Sequence, residues 1–129
     1  MLRWFSRKPA PITGVPAVRR QKTYSAESGY VYQYFYEGHR SYRACVEYVF
    51  NVSADRKSSL PVSVFLEDNS VTDWHRRHGR ALTETERYAV AKLALFQAFD
   101  ERVRPALLEQ PILVRAADVE AILERLDLE

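Results

Sequence analysis

His75 and His78 are the residues most suggestive of metal chemistry, and they lie in the stretch DWHRRHGR, residues 73–80. On a helix, side chains three positions apart share a face, so both rings can reach one point. Asp73 or the distant His39 could add a third ligand. Helical zinc signatures carry a glutamate base or a fixed third ligand at set spacing, and neither is present here. The plainer reading is a short helix anchored by Trp74 with its charged side in water. No metal is assigned. The same stretch carries Arg76, Arg77 and Arg80. Guanidinium groups this dense favour phosphates and carboxylates, so these three form a candidate anion or nucleic-acid patch.

Lys92 raises a second question. At about 100° per residue it falls between Tyr88, Phe96 and Phe99, inside the apolar stripe of a long helix. A buried lysine has a depressed pKa and can act as a nucleophile or base. The alternative is a packed stem whose ammonium reaches water or a carboxylate. A ligand pocket near Lys92, His75 and His78 is therefore one expectation. Cys45, the single cysteine, has no histidine or asparagine partner pattern around it. With one cysteine, neither an intrachain disulfide nor a cysteine-based zinc site fits. No nucleophile elbow, phosphate loop, dinucleotide fingerprint or paired-carboxylate motif occurs. These absences point away from catalysis, and no cofactor is implied.

The elements that must position these residues can be read from periodicity. Residues 29–37 and 40–53 read as two strands. In the second, Tyr42, Ala44, Val46, Tyr48, Phe50 and Val52 alternate with a mostly polar set. NVSADRKSS, residues 51–59, begins at that strand's end and continues as a loop, and residues 60–66 read as a third strand. The period then changes. A short helix is expected after Ser70, taken as its N-cap, with Gly79 at its C-terminus. Thr83 and Glu86 form a capping box that opens a long helix, and Pro105 closes it. Residues 111–115 can form a fourth strand, and ADVEAILERLDL a last helix. Strands in a run followed by helices argue an α+β fold. We expect an antiparallel meander of three to four strands, in the order β-β-β-α-α-(β)-α, with helices on one face.

YVYQYFYEGHRSYR, residues 30–43, makes the register decisive. Tyr30, Tyr32, Tyr34 and Tyr36 occupy alternate positions and so share one face. A two-residue turn at Gly38-His39 pairs Phe35 with Tyr42 and sends the tyrosines away from the helices. A three-residue turn sends them into the core, because one residue of slip exchanges the faces. Glycine at the first turn position suits a type II′ hairpin, so the tyrosines are expected outside. With Arg43 they would form an adhesive surface, since tyrosine offers rigid area and a polar tip.

Composition bounds the rest. The chain has 129 residues, 47% hydrophobic and 28% charged, with a net charge of +2. Residues 1–23 hold Arg3, Arg7, Lys8, Arg19, Arg20 and Lys22 and no acid, while the remainder carries about four more acids than bases. Residues 1–26 therefore read as a basic, extended or flexible arm tipped by Trp4 and Phe5, and 27–129 as a single α+β domain. No apolar run approaches the ~20 residues of a membrane span. The N-terminal stretch lacks the apolar core of a secretory signal. An arginine-bearing, acid-free leader leaves mitochondrial import open beside a cytoplasmic location. The leading expectation is a non-enzymatic module that binds a protein or a second copy of itself through the tyrosines, Arg43, Trp4 and Phe5. The alternatives are a nucleic-acid-binding accessory protein using the basic arm with Arg76, Arg77 and Arg80, and a small enzyme or ligand-binding domain with a pocket near Lys92.

Overall fold

The computed structural model describes residues 10–127. It is an α+β fold built on a five-stranded sheet, one strand more than expected. The elements are β1 (Lys22–Ser25), β2 (Val31–Tyr42), β3 (Cys45–Ser53), β4 (Leu60–Glu67), α1 (Asp68–His78), α2 (Glu84–Glu101), a 3₁₀ turn (Pro105–Glu109), β5 (Ile112–Val114) and α3 (Ala116–Asp127). The strands lie in chain order, antiparallel except for β5, which runs parallel to β4. A parallel neighbour needs a crossover, and the helices between β4 and β5 provide it.

The extra strand is β1, inside the stretch expected to be an arm. Lys22–Ser25 pairs with Tyr34–Val31, and further upstream Thr13 bridges to His39. The described part of the arm thus runs along the outer edge of β2. Short length, charge and Pro11 and Pro16 are devices that protect such an edge from pairing with other chains.

The expected turn at Gly38-His39 does not form. β2 runs straight through it, and the hairpin closes at Arg43-Ala44, with Tyr42 opposite Cys45 and Arg43 left-handed at φ 54. The register instead shifts between Tyr36 and Gly38, a β-bulge in which Glu37 is the extra residue. Gly38, at φ 125, is needed there for a reason remote in sequence. A Cβ on it would lie 2.5 Å from both Ile12 Cγ2 and the Thr13 carbonyl oxygen. The bulge also exchanges faces along the strand. Before it, Tyr32, Tyr34 and Tyr36 share a side with Val52 and Phe50; beyond it, His39 and Ser41 take that side with Tyr48 and Val46.

The tyrosines are therefore corrected to the core side. Tyr32 is 0% exposed and Tyr34 3%, Tyr36 is half-buried, and only Tyr30, just before the strand, stays 37% exposed. Tyr32 stacks on Phe99 with ring centroids 4.2 Å apart, and Tyr24 stacks likewise on Phe96. The Tyr24 hydroxyl donates to Asp100 at 2.8 Å. Burial, then this bond, pushes the Tyr24 phenol up to about 12. Truncating a stacked aromatic such as Phe99 to alanine costs about 3–5 kcal/mol in cores of this kind.

The helices follow their sequence signals closely. The Thr83 hydroxyl accepts from Glu86 N–H at 3.1 Å, and Glu86 accepts from Thr83 N–H at 2.9 Å. Gly79 ends α1 in the left-handed region as expected. Ser70 is not the cap of α1: the helix starts two residues earlier, and the Ser70 hydroxyl donates back to the Glu67 carbonyl at 2.7 Å.

Candidate functional site

The arginine patch on α1 is present as a cluster and is internally neutralised. Asp73 pairs with both Arg76 and Arg77, and Glu120 of α3 takes Arg77 at 2.8 Å and His78 Nε2 at 2.8 Å. Glu86 takes Arg80 at 2.8 Å. The Arg80 bond and the Thr83 backbone donor hold the Glu86 carboxyl at about 2. His78 stacks on Trp74 at 4.3 Å, and Arg80 lies 4.9 Å over the Trp74 ring. Arg77 and His78 tie α1 to α3, Arg80 reaches the start of α2, and Arg76 pairs within α1 itself. His78 Nε2 is engaged by Glu120. Among the described residues, no group of three histidines, cysteines, aspartates or glutamates is placed to hold a metal.

Lys92 is half-buried, with its ammonium 5.9 Å from the Phe96 ring centroid. It shares none of the clefts described below with His75 or His78. Trp4 and Phe5 lie outside the described residues. Arg43 projects at the hairpin tip, with its guanidinium 5.4 Å over the Tyr42 ring, away from the buried tyrosines.

A different set of side chains converges where the arm meets the loop between β3 and β4. Alternation along the arm sends Arg19 and Gln21 to the helix-free face of the sheet and Arg20 and Lys22 to the other side. On the helix-free face, Arg19, Gln33, Phe35, Asn51, Arg56 and Lys57 surround a cleft of about 480 Å³. On the helix side, Arg20 and Lys22 stand at a second cleft of about 450 Å³ against Tyr34, Tyr36 and Tyr88. Burial pushes the phenols of Tyr34, to about 12, and of Tyr36 upward.

The first cleft is built firmly. The Arg19 guanidinium lies 3.8 Å over the Phe35 ring. Its Nε and Nη2 donate to Glu37 at 3.2 and 2.7 Å. With the Asn51 amide turned as its neighbours require, its Nδ2 donates to Leu60 O and Ser59 Oγ, and its Oδ1 accepts from Arg19 Nη2 at 3.3 Å. Gln33 is 5% exposed, and its Oε1 has no hydrogen-bond partner among the described residues.

The loop that carries Arg56 and Lys57 is held by Asp55. Its Oδ1 accepts from the backbone N–H of Lys57 and of Ser58 at 2.8 and 2.9 Å, while Arg56 N–H donates to Ser53 Oγ at 2.9 Å. The two backbone donors hold the Asp55 carboxyl down at about 2. Arg56 sits at φ 65, a left-handed conformation in which glycine or asparagine is the easier residue. Among the described residues Arg20, Lys22, Arg56 and Lys57 make no ion pair.

By periodicity alone ADRKSS reads only as a loop and Gln33 only as a strand residue. An aspartate followed by two cations and two serines is a local signal for a fixed turn that displays charge. The buried amide had no signal, because its depth depends on the register. No protein-family model, curated protein or solved structure matches this chain.

Proposed function

We propose that the chain is a non-enzymatic binding protein for single-stranded nucleic acid, acting through the end of the molecule where the arm meets the β3–β4 loop. The observation that carries this reading is the contrast in pairing. Arg20, Lys22, Arg56 and Lys57 have no carboxylate partners among the described residues, whereas Arg76, Arg77 and Arg80 are paired with Asp73, Glu120 and Glu86. A cation without a partner releases condensed counterions from a phosphate chain, which is the sequence-independent source of affinity. Hydrogen-bonding side chains beside these cations suit bases better than a lipid surface, which asks for protruding apolar residues.

Fluorescence anisotropy with a labelled single-stranded 12-mer at about 50 mM salt tests the reading. Four phosphate contacts correspond to a log–log salt slope of about −3 and, at physiological salt, a Kd of about 1–100 µM, tightening as salt falls to about 50 mM. Absence of binding to DNA and RNA at that salt removes the proposal. Binding to anionic vesicles without binding to either strand transfers the site to membranes and contradicts it.

The protein-interaction reading has lost its outward tyrosine face. It keeps one observation, the arm edge with Val15 62% and Val18 60% exposed beside β2. Burial of these two valines against a second copy is its concrete form, and a dimer mass by light scattering that is lost in Val15→Asp supports it.

A further inference from the structure

We infer that the cleft between Arg19 and the β3–β4 loop is a subsite for one unpaired nucleobase with its phosphate, an inference that rests on the nucleic-acid reading above. Three features divide the work. Arg19 is a pre-set stacking plane. One side of its guanidinium is fixed on Phe35 at 3.8 Å, its edge is fixed by Glu37, and its side chain remains 49% exposed. Guanidinium planes stack on unpaired bases much as aromatic rings do. A plane already immobilised loses little freedom when a base settles on it.

Gln33 supplies the second feature. A buried amide oxygen without a donor is costly, and native structures leave few of them. Gln33 lines this cleft, and the terminal torsion of a glutamine is broad, so its amide can turn toward a ligand. A primary amide offers a donor and an acceptor side by side, the pattern a base edge presents in return. The third feature is the loop. Asp55 fixes the backbone on both sides of Lys57, and Arg56 is held left-handed beside it. Strain at a residue carrying a free cation fits a role in contact, because a glycine would fill that conformation without strain. Arg56 and Lys57 then take the phosphate attached to the stacked base. A cleft of about 480 Å³ lies within the size range of nucleotide-scale pockets.

The test compares a 12-mer carrying bases with a 12-mer of the same sugar–phosphate backbone without them, by anisotropy at about 50 mM salt. The base-bearing strand is expected to bind about fivefold to a hundredfold more tightly, the range of one engaged base. Gln33→Leu and, separately, Arg19→Lys are expected to shrink that ratio severalfold. Gln33→Leu removes a buried amide oxygen that has no hydrogen-bond partner among the described residues, so its Tm is expected to hold, and a thermal melt checks this. Equal binding of the two strands overturns the base subsite and leaves the phosphate reading standing. A ratio unchanged in both variants also overturns it. Binding of neither strand defeats the reading beneath it as well.

Discussion

The α1 helix and the β3–β4 loop carry cations at similar density, and their surroundings make them different objects. In the cluster at the C-terminal end of α1 and just beyond it, Arg76, Arg77 and Arg80 each meet a carboxylate, two of these brought by other elements, Glu86 and Glu120. In the loop the Asp55 carboxylate accepts from the backbone, and among the described residues Arg56 and Lys57 have no carboxylate partner. Density of charge in a sequence therefore says little about a binding surface; what matters is where the tertiary fold delivers the acids.

The sharpest way to break the comparison is charge reversal. Arg56→Glu with Lys57→Glu is expected to lower oligonucleotide affinity about thirtyfold or more in anisotropy, losing two phosphate contacts and adding repulsion. The same reversal at Arg76 and Arg77 is expected to stay within about threefold. Equal losses at the two places would erase the distinction.

A smaller effect isolates Arg56. Arg56→Gly removes one cation and relieves a left-handed residue, so affinity should fall severalfold while thermal stability rises, by roughly 1 kcal/mol. A fall in both would mean the arginine side chain holds the loop rather than serving a ligand. Releasing the α1 arginines comes next in size. Asp73→Asn with Glu120→Gln is expected to raise affinity about twofold to threefold, at a stability loss below about 1 kcal/mol, as exposed pairs contribute little. No gain would show that position, not pairing, silences α1.

Much of this fold was legible in local sequence. The capping box of Thr83 and Glu86, the stop at Gly79 and the buried even-numbered face of β3 all depend on residues within a few positions of one another. The face of the tyrosines was not legible, because Gly38 answers to Ile12 and Thr13 rather than to a turn. The cleft was illegible for the same reason. Arg19, Gln33, Asn51 and Arg56 come from four segments, and only the bulged register and the arm crossing gather them.

The smallest expected effect concerns acid. Asp55 has a folded pKa of about 2, below its ordinary 3.8. Its hydrogen bonds therefore stabilise the loop above about pH 4, and that contribution disappears as pH falls from about 4 through about 2. The Lys57 and Ser58 amide resonances should titrate with a midpoint near 2, and should not do so in Asp55→Ala.

The central claim is that the nucleic acid meets the loop and not the helix. A ¹H–¹⁵N NMR titration of the full chain with the single-stranded 12-mer reads both places in one experiment. Saturable shifts are expected at residues 19–22, 33 and 53–59, with residues 75–80 still. Shifts centred on residues 75–80, or none anywhere at about 50 mM salt, would contradict it.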